Sequence, residues 1–453
     1  EKTMENGLDL QKLFAMQAQL KKNNPPLEGI GQEIIEVAYL KHDGSRDVRP
    51  VRLNIPKDAK KPMPLVYVPH YEMKEDSLEI RDYLLKGWAV ASCADFKDEY
   101  NAELMRDDLV FNNAALCMLR GREDIDSDRI AVVGGSAGGY MAMMLSALQL
   151  GICCTVAGAP PLNAYFNFYK YFGEAVSHIR EAVERLPEAE RHNPVALLTK
   201  TPLPFVAAIC GTGAFTRHLE GMFDLNDLSA WEAVSPTAFY ACYSNPVYIN
   251  WATSDLLVPI DQLTKKYTYA TPGRTIPQGY NYRLGECEGV LGKPFCELLE
   301  KSELNLFKVP PVDGDDVVPL QFDESKQFNV CITDEGAPEA YSSHNLGTHT
   351  GRTSDVNYIA RMFERGAHET NVLSPEKLVL FAERYAGKAR QLVAHAGEGV
   401  YGTLSAYREE MKKELKKYAA DNGKEKLFGL FSKAAALSPT YSKTLKEMMR
   451  EVL

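Results

Sequence analysis

Between Pro64 and Ala159 the chain alternates short, uninterrupted apolar runs with amphipathic stretches: "PLVYVP", "SLEIRDYLLKG", "WAVASCAD", "NAELMRDDLVFNNAALCMLRG", "RIAVVGG", "SAGGYMAMMLSAL" and "CCTVAGAP". Apolar runs with no polar alternation are strands covered on both faces, and helices between them supply the covers through right-handed crossovers. The expected fold class is therefore α/β, with a mostly parallel central sheet and helices on both faces. Just upstream, "EIIEVAYLKHDGSRDVRPVRLNIP" alternates apolar and polar residues on either side of "HDGS", the pattern of a half-buried hairpin.

The alternation stops after Pro160. Residues 161–235 carry helical pieces such as "GEAVSHIREAVERL" and "HLEGMFDLNDLSAWEAV" and read as a cap or lid inserted into the core. The sheet resumes at "PVYINWATSD", gives way to a second insertion over about 265–325, and returns at "FNVCITDEG". Residues 33–160 and 236–366 then form one catalytic core. Residues 1–32 form an N-terminal helical segment, its helix at 8–22 stopped by "NNPP", and 374–453 form a helical C-terminal extension. Within that extension, "REEMKKELKKYAADNGKEK" reads as a solvated helical face. The extension either closes over the site or docks a second copy of the chain in a homo-oligomer.

Composition excludes several classes. A chain of 453 residues with 45% apolar and 25% charged residues buries a large core. Its net charge of −10, with basic residues scattered among acids, leaves no stripe for a nucleic-acid backbone. No apolar run approaches the roughly 18 residues that cross a bilayer, so no membrane partner is expected. The first residue is Glu1, which leaves a removed leader or tag open. Nine cysteines is an odd number, and Cys93, Cys153, Cys154, Cys210 and Cys331 sit in apolar runs as free thiols; a reducing, cytoplasmic setting follows. Neither a metal-ligand spacing, a GK[ST] phosphate loop nor a GxGxxG fingerprint occurs, so neither metal nor organic cofactor is expected.

Gly134, Ser136 and Gly138 make a GxSxG between an expected strand and an expected helix. That setting is the one in which a serine is held at a sharp strand-to-helix turn as a nucleophile, with small neighbours letting strand and helix approach. Outside that setting the same residues are a glycine turn with a capping serine. The helix N-terminus offers free N–H groups to an oxyanion, with Ala137 the natural donor. A serine nucleophile needs a histidine base oriented by a carboxylate, in the chain order Ser, acid, His. Asp255 follows the apolar strand of "PVYINWATSD" directly. The last strand leads into "DEGAPEAYSSHNLGTHTGRTSD", which holds His344 and His349; His344 is favoured because it leaves room for a loop before a helix capped at Thr353 or Ser354. His368 and His395 read as ordinary helix residues.

"GGSAGGYMA", "TSDLLVP" and "PEAYSSHN" together resemble the α/β-hydrolase superfamily, and within it the serine hydrolases related to prolyl oligopeptidase catalytic domains and to the cocaine-esterase and X-prolyl acyl-hydrolase group. The resemblance covers about residues 33–160, 236–265 and 326–366. It implies a triad of Ser136, Asp255 and His344, and a tyrosine after an early strand whose hydroxyl enters the oxyanion hole. In "PLVYVPHYEMKED" that tyrosine is Tyr71, beside His70. Prolyl oligopeptidase relatives carry a β-propeller before the catalytic domain, and about sixty residues before "PLVYVP" do not hold one, so a small ester or other acyl compound is the expected substrate. The aromatic segment "LNAYFNFYKYF" is offered as the wall of an acyl pocket, through Tyr165 and Phe168. The alternatives are an exopeptidase or amidase on the same triad, and a non-catalytic binding protein on the same fold.

Overall fold

The computed structural model describes residues 18–19, 22–97, 103–200, 219–253, 255, 257–265, 289–299, 302–309, 321–333, 355–387 and 404–453. The expected hairpin is β1 (Ile30–Leu40) and β2 (Arg46–Pro56), paired antiparallel around a turn in which Gly44 takes φ +80°. The uninterrupted apolar runs become β3 (Met63–Glu72), β4 (Ala89–Cys93), β5 (Ile125–Gly135), β6 (Cys154–Gly158), β7 (Val247–Ala252) and β9 (Phe328–Thr333). With β8 (Leu304–Val309) they form a nine-stranded sheet in the order β1-β2-β4-β3-β5-β6-β7-β9-β8. From β4 to β8 every pairing is parallel; only β1–β2 and β2–β4 are antiparallel.

Alternate strand residues bury against opposite layers, as the two-residue repeat of a strand requires. Leu65 and Tyr67 face the helices Asp107–Arg120 and Ala137–Leu148, whereas Val66 and Val68 face Leu78–Leu85 and the helix at 355–365. Both layers are closed, so the sheet needs no polar face.

The structure redraws two boundaries. The segment taken as a second insertion contains β8, which pairs in parallel with β9 and forms the sheet edge. Its "LNLFKV" alternates more than the central runs do, because an edge strand shares its faces with solvent. The cap is helical at Phe172–Glu184, Pro194–Lys200 and Leu228–Val234, but "LEGMFDLND" is largely turn before the last of these. The cap is not a separate body either: Phe166, Tyr171 and Trp231 are buried in the same cluster as β3 and the Ala137–Leu148 helix, and Tyr140 Oη donates to Val234 O at 2.7 Å.

The C-terminal extension folds as Pro375–Tyr385, Leu404–Asn422, Lys424–Leu437 and Ser442–Val452. Ser374 caps the first of these, accepting from Lys377 N at 3.1 Å, with Pro375 at the first helical position. The lysine- and glutamate-rich helix is not solvated all round. It buries Tyr407, Met411, Leu415, Tyr418 and Ala419 in a third cluster, which also takes in Leu150 at the end of the serine helix. Among the described residues, no helix is long and apolar enough to cross a membrane. Cys93, Cys153, Cys154 and Cys331 are buried free thiols; Cys210 lies outside the described residues.

Candidate active site

β5 ends at Gly135 and the next helix begins at Ala137, so Ser136 alone makes the joint. Its backbone sits at φ +53°, ψ −123°, a conformation that costs a non-glycine residue about 1–3 kcal/mol and persists only when its surroundings impose it. Two bonds impose it here: Ser136 N donates to Gly158 O at 2.8 Å, and Ser136 O accepts from Tyr140 N at 2.9 Å. The approach of strand and helix is close enough that a Cβ on Gly134 would lie 2.3 Å from Gly138 O. Only glycine fits there.

Tyr71, at the carboxyl end of β3, lies over the same joint. Its ring is so close to Gly138 that a Cβ there would meet it at 3.2 Å. Burial pushes its hydroxyl pKa up to about 12, against the opposing hydrogen bonds from the Ser136 side chain and the Ala137 N–H. The phenol therefore keeps its proton throughout the neutral range. The Tyr71 hydroxyl, the Ser136 side chain and the first helical N–H thus converge on one point.

Asp255 is fully buried in the turn after β7. Its Oδ1 accepts from Leu257 N at 2.9 Å and Val258 N at 3.0 Å, and its own N–H donates to Ala252 O at 3.3 Å. Backbone donors of this kind hold a carboxylate in place. Thr333, the last residue of β9, pairs with Ala252 of β7, so the chain leaves β9 beside the Asp255 turn. It re-enters the described structure at Asp355, whose carboxylate accepts from Asn250 Nδ2 at 3.3 and 3.4 Å. His344 and His349, on the intervening segment, lie outside the described residues. Ser136 and Asp255 both follow carboxyl ends of parallel strands, the edge at which open α/β sheets bind ligands.

The fold is α/β, a mostly parallel sheet with helices on both faces. No protein-family model matches the chain, and no curated protein sequence matches it. Solved structures similar to it include puromycin hydrolase (12% identity, 74% of this chain and 40% of that one, TM-score 0.39). Others are a 2,6-dihydroxy-pseudo-oxynicotine hydrolase (17%, 78% and 74%, 0.40) and an esterase of Pyrobaculum calidifontis (15%, 79% and 93%, 0.40). The chain spans 40% of the length of puromycin hydrolase and 74% of that of the oxynicotine hydrolase.

Tyr165 and Phe168 occupy a π-helical stretch, Tyr165–Tyr171, of the kind often found near functional sites. Tyr165 packs on Tyr169 and Trp231, and the buried Phe168 packs on Phe172, so both rings are tied into the cap core. The stretch is pinned by Gln262, whose Oε1 accepts from Leu162 N and Asn163 N at 2.8 and 3.0 Å and whose Nε2 donates to Asn167 Oδ1 at 2.8 Å. Sequence reasoning passed over Gln262, Gly158 and Asn250. It also passed over a charged group beneath Tyr71: Arg49 and Asp108, both buried, bonded at 2.9 Å, with the fully buried His70 on the same carboxylate. The signal in the sequence was slight, one of three arginines in a strand and a double aspartate opening a helix.

Proposed function

We propose that the chain is a serine hydrolase that cleaves a carboxylic ester by two-step acyl transfer. The observation that carries this reading is the strained Ser136, held at φ +53° where the Tyr71 hydroxyl and the Ala137 N–H meet. In the proposed reaction His344, oriented by Asp255, takes the Ser136 proton as Oγ attacks the substrate carbonyl carbon. The carbonyl oxygen becomes an alkoxide held by Ala137 N–H and Tyr71 O–H. His344 then passes the proton to the departing alkoxide, the C–O bond breaks, and an acyl-Ser136 ester remains. Water, deprotonated by the same histidine, releases the acid. An ester is the least demanding substrate for this arrangement, since an alkoxide leaves more readily than an amide nitrogen. Tyr165 and Phe168 are proposed to line the acyl side through the cap. The chemistry calls on no metal or organic cofactor.

A fluorophosphonate probe tests the nucleophile directly. Wild-type protein is expected to gain one adduct, mapped to Ser136, and Ser136→Ala none; an unlabelled wild type removes the enzyme reading altogether. Turnover of aryl esters against aminoacyl amides then decides the leaving group, with faster amide turnover pointing to an exopeptidase or amidase. His344→Ala is expected to abolish labelling while His349→Ala does not, and the reverse result reassigns the base.

A further inference from the structure

His70 occupies the irregular carboxyl end of β3, next to Tyr71, in a conformation that a histidine seldom takes. Its φ is +74°, one of three positive values among the described non-glycine residues, the others being Ser136 and Ala159. Glycine would adopt that angle without penalty, whereas a side chain there costs on the order of 1 kcal/mol or more. The turn is nevertheless over-determined. His70 N donates to Asn112 Oδ1 at 3.0 Å, and His70 O accepts from Cys93 Sγ at 3.1 Å. The ring Nδ1 lies 2.6 Å from Asp108 Oδ2, while Asp108 Oδ1 takes Arg49 Nη1 at 2.9 Å. A carboxylate paired with a guanidinium is an acceptor only, so Nδ1 carries the hydrogen. Asn112 closes the group by accepting from Tyr67 Oη at 2.8 Å and donating to Asp108 O at 2.7 Å. His70, Asp108 and Asn112 are each no more than 1% exposed, and Arg49 is 2% exposed with its guanidinium 3.8 Å from the Phe111 ring centroid.

The other end of this fixed ring bears on Tyr71. The His70 and Tyr71 rings meet edge-to-face with centroids 4.5 Å apart, and Phe96 contacts both, at 5.3 Å from His70 and 5.5 Å from Tyr71. Tyr71 is thus gripped between His70 and Phe96 on one side and the space left by Gly138 on the other. An oxyanion donor works only within about 2.7–3.1 Å of where the charge forms, so the angle of that phenol ring matters more than its presence.

We infer that His70, anchored by the buried Asp108–Arg49 pair, is a positioning residue that sets the Tyr71 hydroxyl in the oxyanion hole. The inference rests on the reading of Tyr71 as an oxyanion donor. His70 itself touches no reacting atom. The ordinary alternative is that His70 only satisfies Asp108 and holds the fold.

The two are separated by His70→Gly, alone and combined with Tyr71→Phe, on an aryl ester. Glycine keeps the φ +74° turn open to the backbone, and Asp108 Oδ1 retains Arg49, so the variant removes the ring while the buried carboxylate keeps its guanidinium. Rates are taken per site titrated with the fluorophosphonate, so loss of folded protein does not register. Tyr71→Phe is expected to lower kcat by about 10²-fold, the usual scale for one lost oxyanion donor. His70→Gly is expected to lower kcat about tenfold with KM within about twofold, because the donor acts only in the transition state. In the Tyr71→Phe background, His70→Gly is expected to lower kcat no further, since it then has no hydroxyl to misplace. His70→Asn, which tolerates positive φ and offers an amide N–H to Asp108, is expected to recover part of the loss. An equal kcat loss in both backgrounds, or none in the wild type, overturns the role of His70. A Tyr71→Phe variant with wild-type kcat instead overturns the reading of Tyr71. If His70→Gly does not fold, the same cycle is run with His70→Asn, and additive losses overturn the inference.

Discussion

The two ends of the Ala137–Leu148 helix are built on opposite plans. At its N-terminus no side chain caps the helix, Ser136 holds a strained backbone, and glycines keep the space clear. At its C-terminus three cations converge on the last carbonyls. The fully buried Lys377 Nζ donates to Ser146 O at 3.0 Å, to Gln149 O and to Ser244 Oγ at 2.8 Å; Arg384 Nη1 reaches Leu148 O at 3.2 Å and Arg120 Nη1 reaches Leu150 O at 2.9 Å. Both ends of any helix carry orphan backbone groups, and positive charge is favourable only at the carboxyl end. Here the carbonyls are satisfied by Lys377 and Arg384 of the C-terminal extension and by Arg120, while the first N–H, that of Ala137, faces the Tyr71 hydroxyl. A strained, open end is tolerable because the far end is locked.

The sharpest break in that comparison is Ser136→Ala. It should lower ester turnover by 10³-fold or more, on the order seen when an acyl-transfer nucleophile is removed, while leaving the melting temperature close to that of the wild type. Lys377→Met attacks the other end. It fills the space but strands three acceptors, so unfolding free energy should fall by about 2–4 kcal/mol in denaturant titration, while kcat per titrated site stays within about twofold. If kcat falls with stability, the two ends are not independent.

A third variant works at the open end without touching a reacting group. Gly138→Ala places a Cβ 3.2 Å from both the Tyr71 ring and Pro69 O, so the ring must shift by a few tenths of an ångström; kcat should drop about tenfold with little change in melting temperature. A fourth measurement concerns pH. Burial draws the Lys377 pKa down from 10.5 to about 7. An unfolded chain holds this proton up to pH 10.5 and the native one releases it near 7, so the group makes stability rise with pH across that window. Melting curves between pH 7 and 10 should show a rise in wild type that is shallower in Lys377→Met.

The core and the elbow were legible because each rests on a local pattern. Uninterrupted apolar runs can only be strands covered twice, and a GxSxG between strand and helix leaves one residue to make the turn. The edge strand Leu304–Val309 was hidden because its half-exposed "LNLFKV" lacks that signature and sits among Gly- and Pro-rich residues. The Arg49–Asp108–His70 group was hidden for a different reason. Its members lie on β2, on the Asp107–Arg120 helix and at the end of β3, so only the packed sheet brings them together. The extension's lysine- and glutamate-rich helix misled because its buried stripe, Tyr407 to Ala419, is narrow beside its charge.

The order of the last strands carries a further consequence. β8 precedes β9 in the chain yet lies outside it, so Phe328–Thr333 slots between β7 and an edge strand already made. A nascent chain emerging from the ribosome therefore displays the serine turn and the Asp255 turn well before the strand that leads to the histidine segment exists. Assembly of the proposed triad waits on a pairing between residues some eighty positions apart, Val247 with Phe328, and such long-range closures are the slow steps of folding. On the proposed assignment, the nucleophile's turn is synthesised early and the base late.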